Sequence, residues 1–453
     1  MGWFSKLFSA QQVEDEFSEA SYTEIVSPPA GTMSSKRNIF PRFHGSATDE
    51  LRGLRGGPDE KVRMKLRDAF TPAQPVADTR HFAGRIGVLQ SLIRSLENQR
   101  LHVVIYGERG IGKTSLMRVL KELGEEAQYL VRYISCGEES AFQSVIRSVV
   151  SNIPMLYHAD FDPTDDQIEQ GLSLDSLLPD GNISANEVSD LFSRLSGTRV
   201  LIMLDEFDRS DKVLFRRQIA ELIKNLSDRS IRVQFIIAGV AGNLAELVEH
   251  IPSIRRNVMG LRIPAMDADE IRDLISIGEK NSGLRYTDLA VKLITTFSCG
   301  SPYLASLLSQ HAGMFAIDRS SQTVTPQDVA DAATVAVEEI EQRVSERTIG
   351  TIRRALAEGK EEDLAVLARI SMTHGGRLDT SGNDALFDVA PDCKSLVDTV
   401  GLPYGLVVED GDPNEKHYRF IEEAAPNYIW MKVACKRVNA STAHVDVAGD
   451  LSD

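Results

Sequence analysis

GERGIGKT, from Gly107 to Thr114, follows the apolar run LHVVIYG (101–107) and precedes a helical pattern carrying Leu116, Val119 and Leu120. Strand, glycine loop and helix in that order form a cradle for a chain of phosphates. Glycines at 107, 110 and 112 let the backbone wrap tightly, so that successive N–H groups face one anion. The helix that follows adds unsatisfied N–H donors and a positive dipole end. Lys113 supplies a point charge for β- and γ-phosphates, and Thr114 a hydroxyl for Mg²⁺. The expected phosphate-contacting set is Gly107, Glu108, Arg109, Gly110, Ile111, Gly112, Lys113, Thr114 and Ser115. At average residue frequencies the GxxxxGK[ST] pattern arises by chance in roughly one or two per cent of chains this long.

A second element stands 92 residues after Lys113, where RVLIMLDEFDR (199–209) buries a strand and releases Asp205 at its carboxyl end. Parallel α/β sheets bind ligands at that end. Asp205 is therefore expected to partner Mg²⁺ with Thr114, and Glu206 to polarise an attacking water as general base. The neighbouring Asp208 and Arg209 are read as helix-capping residues. An acid beside the metal residue favours hydrolysis over simple phosphoryl transfer, and the absence of an NKxD motif favours adenine over guanine.

Further apolar runs at YLVRYISC (129–136), VQFIIAGV (233–240) and VMGLRIP (258–264) alternate with helical patterns. One of these has Val213, Leu214, Ile219, Leu222, Ile223 and Leu226 on one face. That alternation predicts a parallel sheet covered by helices on both faces. Strands stop after Pro264, and a capping pattern from Asp267 to Glu270 opens a helical region. Near the end, LVVED (406–410) and HYRFI (417–421) read as a hairpin around GDPNE, followed by a helix through Tyr428 and Trp430.

The whole chain has 453 residues, with 42% hydrophobic and 26% charged side chains and a net charge of −16. These values describe a globular protein of several folded units and exclude collagenous or wholly disordered chains. Cys136, Cys299, Cys393 and Cys435 show no metal or disulfide spacing and fit a reducing, cytoplasmic setting. No apolar run reaches the roughly 18 residues of a membrane span. Trp3, Phe4, Leu7 and Phe8 could form a short membrane or partner anchor within residues 1–8. Between Lys36 and Arg67 nine basic side chains face four acidic ones, while residues 158–185 carry seven acids and no Lys or Arg. The latter lacks the glycine and terminal Glu of an EF-hand and reads as an acidic surface loop.

HFAGR (81–85), GERGIGKTS, LIMLDEFDR, FIIAGVAGN (235–243), HIPSIRR (250–256) and CGSPYLASLL (299–308) together resemble AAA+/STAND ATPases. Within them the sequence looks like the origin-recognition-like ATPases of bacteria and archaea, over about residues 78–430. The resemblance implies ATP and Mg²⁺ as ligands and a P-loop NTPase core with a helical lid and a winged-helix-like domain. Together with the composition of the ends, the resemblance divides the chain into an arm and linker, partly disordered (1–77), an ATPase core (78–265), a lid (266–358), a winged-helix-like unit (359–435) and a disordered tail (436–453). It places Phe82, Ala83, Gly84 and Arg85 near adenine, Gly300, Ser301 and Pro302 in the lid beside it, and Asn243 as a polar sensor. Arg256, or the adjacent Arg255, would act on a neighbouring copy's γ-phosphate.

Three functions remain open on the sequence: an ATPase acting as a conformational switch, an ATP-dependent DNA initiator or loader, and a nucleotide-locked scaffold. A protein partner or homo-oligomer fits the first. The expected recognition helix, APDCKSLVDTV (390–400), has one Lys against two Asp, and the wing carries Glu409, Asp410, Asp412 and Glu415. Such a surface repels a duplex and disfavours DNA.

Overall fold

All five apolar runs are strands of one sheet: β1 (His102–Gly107), β2 (Leu130–Ser135), β3 (Val200–Asp205), β4 (Val233–Val240) and β5 (Val258–Arg262). The computed structural model describes residues 58–76, 78–161, 171–210, 213–240, 256–380, 392–410 and 417–449, with side chains to Arg437. The short helix expected at Trp3–Phe8, residues 162–170 of the acidic stretch, Asn243, Arg255 and the turn 411–416 lie outside the described residues.

Every pairing in the sheet is parallel, in the order β2-β3-β4-β1-β5. Alternate residues of each strand point to opposite faces. Val103, Ile105, Leu201, Met203, Ile236 and Ala238 enter one apolar cluster. It is completed by the helices Ile86–Arg94 and Lys113–Glu126. Val104, Ile202, Leu204, Phe235 and Ile237 enter the other. There they meet the helices Phe142–Val150, Ala185–Ser193 and Val213–Asp228. Burial on both faces explains why these strands are continuous apolar runs. On Val213–Asp228 the buried stripe is Phe215, Ile219, Leu222, Ile223 and Leu226, whereas Val213 and Leu214 are exposed. The buried face thus starts two positions after the expected one, because Phe215 keeps the i, i+4, i+7 spacing with Ile219 and Leu222.

From β5 to Thr373 the chain is helical, apart from a two-residue parallel pairing of β6 (Arg285–Tyr286) with β7 (Thr323–Val324), which qualifies the expectation that strands stop at Pro264. The helix Ala268–Ser282 opens with the expected reciprocal cap, Asp267 and Glu270 exchanging side-chain and backbone bonds. It is followed by the helices Asp288–Ser298, Pro302–Asp318, Pro326–Glu341, Glu346–Ala357 and Glu361–Thr373. A small antiparallel sheet in the order β8-β10-β9 (Leu378–Asp379, His417–Phe420, Val407–Asp410) adds a third strand to the expected hairpin. The final helix, Ala425–Gly449, continues through most of the segment expected as a disordered tail. One apolar cluster runs from Leu66 and Phe70 through the helical region to Trp430 and Val433.

The helix Pro58–Ala69 lies in what the sequence marks as linker. Its Leu66 and the following Phe70 are fully buried against helices Ala268–Ser282 and Pro302–Asp318, beside Gly278 and Gly313. Among the described residues no helix is long and apolar enough to cross a membrane.

Candidate functional site

The carboxyl ends of β1, β3 and β4 open into a cavity of about 570 Å³. Its floor is the glycine loop. Gly107, Gly110 and Gly112 have φ of +150°, +76° and +97°, and the latter two lie in territory that costs a side chain about 1–2 kcal/mol. Gly112 is followed directly by helix Lys113–Glu126, which no side chain caps, so its first N–H groups face the cavity. Lys113 is 8% exposed and its ammonium donates to the carbonyls of Gly107 (2.8 Å) and Glu108 (2.7 Å). Burial brings its pKa down to about 8 against the pull of Asp208, Asp205, Glu423 and Glu108. Burial likewise pushes the Glu108 carboxyl up to about 8.

Asp205 stands 2% exposed at the end of β3. Its oxygens accept from Tyr133 Oη (2.5 Å) and from the Glu206 N–H (2.9 Å). Glu206 adopts φ +52°, a left-handed kink that turns its half-exposed carboxylate back across the strand end. There it accepts from Ser135 Oγ (3.1 Å) and pairs with Arg209 (3.0 Å). Asp208 Oδ1 accepts from the Val240 N–H at 2.8 Å, tying the turn to the end of β4. Asp208 and Arg209 thus form part of the wall and do not cap the next helix; they lie in a separate 3₁₀ turn, Phe207–Arg209.

Arg85 is 4% exposed beneath the loop. Its guanidinium donates to the carbonyl of Ile111 and, at 3.1 Å, to that of Pro264. Burial lowers its pKa to about 10 despite the nearby Glu270. Glu270 accepts the Arg85 backbone N–H and packs over Gly84, where a Cβ would lie 2.9 Å from its side chain. Arg85 therefore ties the glycine loop to the first helix beyond the sheet. Arg85→Met is expected to weaken nucleotide binding at least tenfold while leaving Lys113 in place, because the Ile111 carbonyl loses a charged donor. Titration calorimetry showing an unchanged affinity would remove this bracing role.

Of the expected residues, Phe82, Ala83, Arg85, Arg109, Gly110, Gly112, Lys113, Thr114, Ser115, Asp205, Glu206 and Pro302 line the cavity together. Gly84, Gly107, Glu108 and Ile111 stand behind the lining, Ile111 as a core residue. Arg256 is exposed at the opposite end of the sheet, 4.0 Å from Asp228, so it takes no part in its own chain's cavity. Three other contributors have no signature in the sequence. Thr71–Val76 passes along the wall and Val76 N–H donates to Ser115 Oγ at 3.1 Å. Tyr303 flanks Gly110, and Glu423 arrives from the last unit of the chain.

The donor set fits a nucleoside polyphosphate with Mg²⁺. Glycine N–H groups, an uncapped helix start and a buried ammonium answer the phosphates, and Thr114 with Asp205 leaves most of a hard cation's coordination to phosphate and water. Among the described residues no three His, Cys, Asp or Glu side chains hold a metal by themselves.

Residues 82–237 match the model of the AAA ATPase domain. The chain is also similar to the ORC2 protein of Aeropyrum pernix in its ADPNP and ADP complexes, at 17% identity over 83% of this chain and 98% of that one, with TM-score 0.44. Cdc6p from Pyrobaculum aerophilum gives 16%, 82%, 98% and 0.43. The RuvB Holliday junction branch migration motor of Thermotoga maritima gives 15%, 80%, 97% and 0.40. No curated protein matches the chain. The matched segment, residues 82–237, contains the glycine loop, the buried Lys113 and the Asp205–Glu206 strand end, and over that segment the chain is similar to the AAA ATPase domain.

Proposed function

We propose that the chain is an ATP-binding, Mg²⁺-dependent ATPase whose nucleotide state resets the seat of its C-terminal unit on the phosphate loop. One observation carries this reading: Glu423, just after β10, lines the phosphate cavity and pairs with Arg109 of the loop at 3.6 Å. Two further contacts dock the same unit. Arg262 donates to the His374 carbonyl, and Gly376 faces Glu108 so closely that a Cβ would lie 2.9 Å from its carboxylate. The Arg109–Glu423 pair is exposed, a class worth only about 0.2–1 kcal/mol. A γ-phosphate adds negative charge beside Glu423 and competes for Arg109, so the triphosphate disfavours the docked seat more than the diphosphate does.

In hydrolysis Mg²⁺ would be held by Thr114 and Asp205 and would neutralise charge on the leaving phosphates. Lys113 holds the phosphate chain, and Glu206 takes the proton of the attacking water once its carboxylate swings from Arg209. Tyr133 and the Glu206 N–H keep Asp205 in one orientation. We read the unit of three short strands and its helices as winged-helix-like, and Arg256 as a residue available to a neighbouring copy. The acidic strand end Glu409–Asp410 disfavours a role in gripping DNA.

Glu423→Gln is expected to shift the ratio of ATP to ADP affinity toward ATP by up to about fivefold, the size of one exposed ion pair. Fluorescent-nucleotide competition measures it; an unchanged ratio would detach Glu423 from nucleotide sensing.

A further inference from the structure

The far end of the sheet carries a second polar cavity, of about 290 Å³, at the feet of β1, β3 and β4. Three arginines from three separate stretches line it: Arg100 before β1, Arg199 before β3 and Arg232 before β4. No Asp or Glu lines it, although the chain as a whole carries −16. Among the described residues the side chains of Arg100 and Arg232 have no hydrogen bond or ion pair. Arg199 spends one guanidinium nitrogen on Tyr129 Oη at 3.0 Å.

The base of the cavity is stiff and uncharged. Gln234, 8% exposed, donates its amide to the carbonyls of Leu96 and Leu101, both at 3.0 Å, and so pins the turn that bears Arg100 to the foot of β4. His102, 3% exposed, accepts from the Phe235 N–H at 2.9 Å, and burial lowers its pKa to about 4, leaving it neutral. Three uncompensated guanidinium groups around one concavity repel one another, and a multiply charged anion relieves that repulsion. Guanidinium forks match phosphate oxygens in geometry as well as charge.

We propose that this cavity at the strand feet binds a small ligand bearing one or two phosphate groups, separate from the glycine-loop site. Its size admits a small molecule. A nucleic-acid backbone fits less well, because Arg229 and Arg256, which neighbour the lining residues Ser230 and Asn257 in sequence, are already paired with Asp190 and Asp228. The inference does not depend on ATP hydrolysis at the other site.

The test titrates pyrophosphate into the full chain carrying Lys113→Ala, which weakens the first site, and repeats it with Arg232→Ala or Arg100→Asn added. Asn tolerates the left-handed backbone of Arg100, φ +54°. Binding that falls tenfold or more in both arginine variants, with unfolding midpoints unchanged, supports the proposal. No calorimetric response at millimolar pyrophosphate, or one indifferent to Arg100 and Arg232, would overturn it. So would a short DNA duplex that binds through these arginines where pyrophosphate does not, which would assign the surface to a polymer instead.

Discussion

Lys113→Ala is expected to lower nucleotide affinity by a hundredfold or more. A buried ammonium making charge-assisted bonds to phosphate is worth about 3 kcal/mol or above, and Lys113 is the cation bonded to the loop carbonyls of Gly107 and Glu108. Glu206→Gln should behave in the opposite way, keeping ATP and losing about 10²–10⁴ in turnover, the usual share of general base catalysis. Equal turnover in Glu206→Gln and wild type would overturn the catalytic assignment; equal affinity in Lys113→Ala would overturn the phosphate site itself. A pH signature accompanies the first result. Lys113 titrates near pH 8 because burial disfavours its charge. Phosphate favours that charge, so binding takes up a proton above pH 8 and affinity falls as pH rises past that point. Glu108, also near 8, ionises over the same range and adds its repulsion with the same sign.

The second large effect lies far from the chemistry. Phe70→Ala should cost about 3–5 kcal/mol, as deletion of a fully buried aromatic does. Phe70 is 1% exposed, edge-on to Tyr286 at 6.1 Å, and its ring occupies the space a Cβ on Gly278 would need, 1.9 Å away. Gly278→Ala alone should also destabilise, by overpacking. In the double variant the new methyl enters the vacated space, so the two losses should sum to less than their separate values. Thermal unfolding of the four proteins decides this, and strict additivity would contradict the packing. Phe70 immediately precedes Thr71–Val76, so Phe70→Ala should weaken nucleotide binding too, with Lys113 and Asp205 untouched.

That segment also shows where the sequence was hard to read. The five strands were legible because burial on both faces demands uninterrupted apolar runs, and the glycine loop because few backbones can fold so tightly. Residues 58–70 fall inside the arm and linker, 1–77, that the sequence suggests. Yet Val62, Leu66 and Phe70 recur every four residues, a buried helical stripe overshadowed by the exposed Lys61, Lys65 and Arg67 and by Arg63, which is half-buried against Asp318. Arg209 resisted prediction for another reason. Its bond to Glu206 depends on the left-handed kink at Glu206, and such backbone choices in a non-glycine residue leave no periodic mark. Glu423 is joined to the loop across more than 300 positions of chain, a distance over which spacing carries no information.

Trp430 in the final helix donates its indole N–H to the Phe297 carbonyl at 2.9 Å, and Tyr428 reaches Glu341 at 2.9 Å. These bonds and the continuous apolar cluster make the helical region and the last unit one stiff piece. The chain crosses between that piece and the sheet at residues 263–267 and again at 71–82. Two crossings act like two pins and define an axle, which leaves rotation about one line as the cheapest relative movement. The final helix, 25 residues and so about 37 Å long, is the arm on that axle. A rotation about that axle would move the far end of the arm most.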